Sequence, residues 1–227
     1  MRTLIALNGR ISDLAACGRI ARTCSRVLCA DGGARHLRAL DLTPDLLVGD
    51  LDSIDAGDLA WMEARGVKIL RYPVEKDWTD SELALQVALK DMDEDGSEIW
   101  MIGAFGDRLD HVLANMGMAS MLAAKGIRAW LTDGVTYLLC IKGPDVLRIS
   151  LDTLGLHDPL ISVIPSAGAS LTGVTLEGMV YLLHDATLEP GSTRGVSNLV
   201  SVGCREIGIR LESGEGYVTI LPNEALG

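Results

Sequence analysis

Residues Leu46-Leu47-Val48-Gly49-Asp50-Leu51-Asp52-Ser53 form an apolar run that passes through a glycine into a loop with two carboxylates. The uninterrupted apolar run is typical of a strand that is buried on both faces of a sheet. On extended backbone, side chains alternate between two faces, so Asp50 and Asp52 are predicted to point the same way. Such like charges repel unless a cation or hydrogen bonds offset the repulsion. The stretch therefore predicts a buried strand that ends at an acidic binding loop.

Acid and glycine follow an apolar run at two further places. Asp31-Gly32-Gly33 follows the run 27–29, and the segment 103–111 follows the run 99–102. In an open parallel sheet, ligands bind beyond the carboxyl ends of the strands. We therefore expect one edge of the sheet to gather these carboxylates: Asp31, Asp50, Asp52, Asp107 and Asp110.

A fourth acidic stretch, Lys76-Asp77-Trp78-Thr79-Asp80, precedes a segment with helical spacing. Thr79 followed by Glu82 fits a capping box, which predicts a helix over 81–90. Asp80 is thereby expected near the positive end of that helix, where donors keep a carboxylate ionised.

The two halves of the chain differ in their pattern of predicted secondary structure. In the first, buried strands are predicted at 3–7, 27–30, 46–48, 67–70, 98–102 and 127–132, with helical segments between them such as 110–124. This alternation indicates a doubly wound, mostly parallel sheet. In the second, short β-prone runs at 135–141, 146–151, 160–164, 179–183, 206–211 and 217–221 indicate an all-β sandwich or barrel. We predict an α/β domain over 1–134 and a β-sandwich over 135–227.

The net charge, the cysteine spacing and the length of the apolar stretches limit the classes of function that the chain can have. The 227 residues carry a formal net charge of −11, which argues against a nucleic-acid binder but permits an anionic nucleotide whose phosphates are masked by a divalent metal. The five cysteines include no C-x-x-C pair, which favours free thiols in the cytoplasm over disulfides or zinc. Charges and glycines interrupt every apolar stretch before membrane-spanning length, and the N-terminal run is too short for a secretory signal.

The recurring acids suggest a magnesium-dependent phosphate enzyme. Hard oxygen ligands suit Mg²⁺, which binds one or two carboxylates together with substrate phosphates. Arg108 could clamp a phosphate oxygen. Glycines would let the backbone approach phosphates at positions 32, 33, 49, 103 and 106. The chain has no P-loop, G-x-G-x-x-G or G-x-S-x-G motif, so catalysis is expected to rest on positioning and electrostatics.

Each of these residues also has a structural interpretation. Asp52 or Ser53 could cap a helix that begins near Ile54, and Asp80 could be an ordinary first-turn acid. Arg108 could simply pair with Asp110 or Asp107, His111 could be a satisfied structural histidine, and Trp78 could pack under its loop. Helix capping does not explain why several acidic motifs share one predicted edge.

With these motifs the chain resembles the thiamine pyrophosphokinase family. The first half matches it at Asp31-Gly32-Gly33-Ala34, at Pro44-Asp45 leading into Gly49–Ser53, at Lys76-Asp77-x-Thr79-Asp80 and at Gly103-Ala104-x-Gly106-x-Arg108-x-Asp110-His111. The second half matches it at Ser162-x-Ile164-Pro165, Gly173-Val174-Thr175, Gly178–Leu182 and Gly195-Val196-Ser197-Asn198. The motifs occur in order along nearly the whole chain.

The resemblance implies transfer of diphosphate from ATP to the hydroxyl of thiamine, with thiamine diphosphate and AMP as products. It also implies an α/β domain followed by a β-sandwich, and a homodimer with active sites at the subunit interface. By position, Asp50, Asp52 and Asp80 would bind Mg²⁺, and Arg108 and Asp110 would hold phosphates or the metal. It further implies binding roles for Asp31, Gly32, Gly33, Asp77, Thr79, Gly103, Gly106 and His111 toward the nucleotide, and for Ser197 and Asn198 toward thiamine.

Two rival functions remain open. A diphosphokinase or kinase of the same architecture could act on another heterocyclic alcohol, with AMP release marking diphosphate transfer and ADP release marking single phosphoryl transfer. A non-catalytic thiamine- or nucleotide-binding regulator could keep the fold, although a binder has little need for so many clustered carboxylates.

Overall fold

The structure is a computed structural model that describes residues 1–75, 77–90, 92 and 97–223. It divides into two compact units. Unit 1 comprises Met1–Ala119 and Ile127–Gly134, and unit 2 comprises Ser120–Gly126 and Val135–Gly227.

The described residues of unit 1 form six parallel strands in the order β6-β5-β1-β2-β3-β4. Their bounds are β1 Arg2–Ala6, β2 Arg26–Ala30, β3 Leu46–Gly49, β4 Lys68–Arg71, β5 Glu98–Ile102 and β6 Arg128–Thr132. Most are buried almost throughout, as their continuous apolar runs predict. The exception is β4, which is mostly exposed because it lies at the end of the strand order. The expectation of burial on both faces was therefore wrong for that strand.

The helices α1 and α3 start where an aspartate side chain accepts from a free N–H group of the first turn. Asp13 Oδ1 accepts from Ala16 N at 2.9 Å, and Asp55 Oδ1 accepts from Gly57 N at 2.7 Å. The helices are α1 Leu14–Ala21, α2 Ala34–Ala39, α3 Ala56–Ala64, α4 Asp80–Lys90, α5 Leu109–Ala124 and α6 Leu151–Leu154, with a 3₁₀ turn at Asp31–Gly33. Because α3 is capped by Asp55, the alternative in which Asp52 or Ser53 caps it was wrong.

Among its described residues, unit 2 consists of strands apart from the end of α5 and the short helix α6. One set of antiparallel strands has the order β12-β9-β14-β7, and the second has the order β11-β10-β13-β8. Their bounds are β7 Tyr137–Lys142, β8 Asp145–Ser150, β9 Leu160–Pro165, β10 Leu171–Glu177, β11 Ala186–Leu188, β12 Asn198–Leu199, β13 Glu206–Leu211 and β14 Glu215–Leu221. The two sets of strands are in contact at Gly216 of β14 and Leu171 of β10. A Cβ built on Gly216 would stand 3.1 Å from a Leu171 methyl group.

The predicted fold class is confirmed: a parallel α/β arrangement is followed by an antiparallel β part. The predicted strand at 179–183 was wrong: the structure places no strand in this described segment, and its bridge between Met179 and Val200 is isolated. Strand β10 was missed because Gly173 interrupts its β-prone pattern. Gly173 has a φ of +65° and lies where the β10–β11 register shifts, so the chain needs glycine there.

Candidate active site

The candidate site lies where the strand order of unit 1 changes direction. The chain builds outward from β1 to β4 and then returns to place β5 on the other side of β1. In open α/β sheets this switch point, at the carboxyl ends of the strands, is where ligands bind. A cavity of about 990 Å³ lies here, and it is lined by 7–11 after β1 and by 103–108 after β5.

The loops that follow β1 and β5 pack directly on each other. Gly9 N donates to Gly103 O at 2.9 Å, and Arg10 N donates to Phe105 O at 2.6 Å. A Cβ on Gly9 would overlap the Phe105 and Gly103 carbonyl groups, and Gly103 itself has a φ of +64°. These two glycines therefore allow the close backbone approach that forms one wall of the cavity.

Three carboxylates converge on the cavity from the loops after β2 and β3. One oxygen from each of Asp31, Asp50 and Asp52 lies within 4.8 Å of the other two. We call these three residues the carboxylate cluster. All three line the cavity. Such a set of hard oxygen donors fits a divalent cation such as Mg²⁺.

Asp31 is the buried member of the carboxylate cluster. Its side chain is only 3% exposed, and its Oδ2 accepts from Ser53 Oγ at 2.6 Å and from Ser53 N at 3.2 Å. Its Oδ1 is buried and has no hydrogen-bond partner among the described residues. Burial raises the pKa of the Asp31 carboxyl, the hydrogen bonds from Ser53 oppose that shift, and the charges of Asp80 and Asp50 raise the pKa further. A bound cation would offset both the burial and the repulsion.

Asp50 and Asp52 come together by a different route from the one that the sequence suggests. Leu51 has a φ of +68°, so the loop is bent in the left-handed region and is not extended. Asp52 N donates to Asp50 Oδ1 at 3.2 Å across this bend. The expectation of extended backbone was wrong, although the two carboxylates do meet.

Asp80 reaches the same cavity from the first residue of α4. The helix begins beside it because Thr79 Oγ1 accepts from Glu82 N at 3.2 Å, one half of the predicted capping box. A Cβ placed on Gly49 would stand 3.3 Å from Asp80 Oδ1, which locates this carboxylate at the end of β3. Asp80 thus adds a fourth carboxylate to the cavity.

Arg108 and Asp110 form a bidentate ion pair at the start of α5. Arg108 Nε donates to Asp110 Oδ1 at 2.9 Å, and Nη2 donates to Oδ2 at 2.6 Å. These hydrogen bonds hold the pKa of Asp110 well below its usual value and raise the pKa of Arg108. Arg108 lines the cavity and its side chain is 72% exposed, so the pair leaves the guanidinium reachable by a ligand.

The structure brings most of the predicted site residues of the first half to one cavity. The predicted residues that line it are Asp31, Asp50, Asp52, Thr79, Asp80, Gly103, Gly106, Arg108 and His111. Four predicted residues lie nearby in sequence but outside its lining: Gly32, Gly33, Asp77 and Asp110. Lys76, which belongs to the fourth acidic motif, lies outside the described residues.

The two residues predicted to bind thiamine lie in unit 2. Asn198 is buried, and its amide group pairs with the Tyr181 backbone, accepting from its N–H at 2.9 Å and donating to its carbonyl at 2.7 Å. Ser197 has a φ of +57°, and its N–H donates to Ser162 Oγ at 3.0 Å. Asn198 therefore shapes the 178–182 loop from within the unit.

Other cavity-lining residues were missed by sequence reasoning. They include Asn8, Arg10, Arg35, His36, Phe105 and Asn115. Asn8 and Arg10 could have been predicted from the sequence, because they follow β1 just as the acidic loops follow β2 and β3. Arg35 and His36 carried no such signal, since only the packing of α2 turns them toward the loop after β1.

The fold and the site define a class of protein in which an α/β unit holds an acidic cavity at its switch point and a second unit is built of antiparallel strands. The family model described as the thiamin pyrophosphokinase catalytic domain matches residues 17–131, and that described as the thiamin pyrophosphokinase vitamin B1 binding domain matches residues 148–215. The chain belongs to the thiamin pyrophosphokinase family.

Relatives agree with this assignment. The chain is 29% identical to thiamine pyrophosphokinase of Bacillus subtilis, over 74% of this chain and 75% of the relative, and 26% identical to thiamine pyrophosphokinase 1 of Arabidopsis thaliana, over 76% and 70%. Two solved structures show the same fold. The Bacillus subtilis enzyme has a TM-score of 0.81 at 24% identity, with 98% of this chain and 100% of that chain covered. Thiamin pyrophosphokinase of Candida albicans has a TM-score of 0.78 at 20% identity, with 98% and 90% covered.

Proposed function

We propose that this chain is a thiamine diphosphokinase, which transfers the terminal diphosphate of ATP to the hydroxyl group of thiamine. The hydroxyl oxygen attacks the β-phosphorus, the bond from that phosphorus to the α,β-bridging oxygen breaks, and AMP leaves. The hydroxyl proton passes to a carboxylate of the site. The products are thiamine diphosphate and AMP.

The carboxylate cluster is the observation that carries this proposal. A buried aspartate with an unpartnered oxygen, two further carboxylates within 4.8 Å and a cavity of about 990 Å³ suit a polyphosphate with its divalent cation. Asp31, Asp50 and Asp52 would hold Mg²⁺, with Asp80 beside them. Bound Mg²⁺ would neutralise phosphate charge and polarise the phosphorus–oxygen bonds.

The chain's own residues would orient the substrates. Arg108, exposed at the cavity, would donate to phosphate oxygens, and its pairing with Asp110 fixes the plane of the guanidinium. Glycines 103 and 106 would let backbone N–H groups approach the phosphates. The structure supports catalysis by positioning, since these groups converge on a single cavity.

We assign thiamine binding and dimerisation to residues 135–227, and ATP and metal binding to residues 1–134. An exposed apolar surface in unit 2 supports a subunit contact: Val180, Tyr181 and Leu182 are 50%, 63% and 52% exposed. Apolar side chains side by side on one loop are typical of protein interfaces. We propose that this loop meets a second copy of the chain and that the active site is completed at that interface, with Ser197 and Asn198 shaping the thiamine pocket.

A reducing cytoplasmic setting is part of the proposal. All five cysteines are free thiols. Burial raises the pKa of Cys17 to about 12 and that of Cys140 to about 11, so both stay protonated and unreactive at neutral pH. In the described residues, no helix is long and apolar enough to cross a membrane.

Product analysis tests the proposed function. The purified protein is incubated with ATP, Mg²⁺ and thiamine, and the nucleotides are separated by chromatography. We expect AMP and thiamine diphosphate to form in equal amounts. ADP with thiamine monophosphate would instead identify a kinase, and thiamine binding without ATP turnover would identify a binding protein. Either result would overturn the proposal.

A further inference from the structure

The Asp31 carboxylate is held by Ser53, and Ser53 is held in turn by Asn8. Ser53 Oγ donates to Asp31 Oδ2 at 2.6 Å, and the Ser53 N–H donates to the same oxygen at 3.2 Å. Asn8 Nδ2 donates in turn to Ser53 Oγ at 3.3 Å. A serine hydroxyl has one proton, and because its oxygen already accepts from Asn8, that proton is directed at Asp31.

The position of Asn8 is itself fixed by α2 and by the glycine after Asp31. A Cβ on Gly32 would overlap the Asn8 amide group, so glycine makes the room that Asn8 occupies. Arg35 Nη2 donates to Asn8 O at 2.5 Å and to Gly9 O at 2.9 Å, and His36 Nε2 contacts Gly9 O at 2.8 Å. The loop that presents Asn8 is thus tied to α2 by three hydrogen bonds.

This arrangement leaves one oxygen of Asp31 for a ligand. Oδ2 is held by both donors of Ser53, whereas Oδ1 is buried without a hydrogen-bond partner among the described residues. The Asp31 carboxylate also belongs to the cluster with Asp50 and Asp52. Partners that bind the second oxygen of a metal-binding carboxylate orient the first, and their loss commonly weakens metal binding about 10–100-fold.

We propose that Ser53 and Asn8 are positioning residues that fix the Asp31 carboxylate for binding a divalent cation. The proposal deepens the proposed function and rests on it, because it concerns the same site. It assigns a task to Asn8, which follows β1 and lies in none of the acidic motifs. Ser53 acts through Asp31 and not on the substrate.

Direct binding of Mn²⁺ to the full-length protein, measured by electron paramagnetic resonance without nucleotide, tests this role. We expect Ser53→Ala to weaken Mn²⁺ binding about 10-fold or more and Asn8→Ala to weaken it less. Ser53→Thr keeps the hydroxyl and should bind within about threefold of wild type. Ser12→Ala is the matched control, because Ser12 Oγ donates to Asp133 Oδ2 at 2.7 Å and does not line the cavity.

The outcomes separate this proposal from the proposed function. Wild-type Mn²⁺ affinity in Ser53→Ala and in Asn8→Ala would overturn the positioning role, as would weakening of the same size in Ser12→Ala. If Ser53→Ala does not fold, Asn8→Ala and Ser53→Thr decide the question. Mn²⁺ binding that depends on Ser53, in a protein that forms no thiamine diphosphate, would overturn the proposed function and uphold this one.

Discussion

Gly49 lies so close to Asp31 that a Cβ on Gly49 would stand 2.9 Å from the Asp31 Cβ. The same Cβ would stand 3.3 Å from Asp80 Oδ1. The last residue of β3 therefore sets how closely these two carboxylates approach, and only the absence of a side chain at Gly49 permits their spacing. Glycine is therefore needed at position 49 to leave room for the Asp31 and Asp80 side chains.

Gly49→Ala is expected to lower turnover about 100-fold, because the added Cβ must displace the Asp31 and Asp80 side chains and a misplacement of about 1 Å can cost that much. The midpoint temperature of thermal unfolding should fall by only a few degrees. Gly117→Ala on α5 is the matched control: a Cβ there meets nothing within 4 Å, so helix propensity predicts a gain of roughly 0.5–1 kcal/mol in unfolding free energy and unchanged activity. Normal turnover in Gly49→Ala would show that the site tolerates a wider spacing.

Asp50→Asn and Asp80→Asn should each lower turnover on the order of 10³-fold, since each removes a charge from the cation and phosphate site. Neither should lower the thermal unfolding midpoint measured without metal, because the carboxylates repel one another. Asp158→Asn is the control, an exposed residue with a φ of +48° that asparagine tolerates. Near-normal turnover in both site variants would remove the metal-site assignment.

Arg108→Lys tests whether the guanidinium binds substrate or only Asp110. The pair is exposed, so its loss should barely change the unfolding midpoint. Lysine keeps the charge but loses the planar fork, and we expect the KM for ATP to rise about 10-fold. Arg148→Lys is the control, because Arg148 pairs with Glu177 at 2.6 Å on the surface of unit 2. An unchanged KM for ATP would show that Arg108 only forms a surface ion pair with Asp110 and does not bind ATP.

Leu182→Asp tests the proposed subunit contact. Leu182 is 52% exposed on the 178–182 loop, and a charge there should disfavour burial against a second copy. We expect sedimentation to show a dimer for wild type and a monomer for the variant, with activity lost alongside. Val146→Asp is the control, because Val146 is 58% exposed on β8. A monomeric wild-type protein with full activity would contradict both the contact and the shared active site.

The sequence sufficed to predict the elements whose signals are local. The apolar runs located β1 to β6, the strands of unit 1 in the described part of the chain, and Thr79 with Glu82 located the start of α4. The acidic motifs located the strand ends, and several of them meet in one cavity because parallel strands share a carboxyl edge.

Non-local features escaped sequence reasoning. Nothing in the run 98–102 says that β5 pairs with β1, yet this pairing creates the switch point and brings Asn8 into the site. The left-handed bend at Leu51 is imposed by the loop and not by leucine, which disfavours that conformation. The run 180–182 reads as a strand in sequence but is exposed, because a sequence does not distinguish apolar side chains that face a core from those that remain on the surface.

The most direct test of the account is a ³¹P NMR time course of the wild-type protein with ATP, thiamine and Mg²⁺, run beside Asp50→Asn. We predict that AMP and thiamine diphosphate grow in equal amounts with wild type, that chelation of the metal stops both, and that Asp50→Asn forms neither at a comparable rate. Thiamine diphosphate formed equally fast by Asp50→Asn would contradict the claim that the carboxylate cluster carries the reaction. An ATP spectrum that does not change with wild type would contradict the reaction itself.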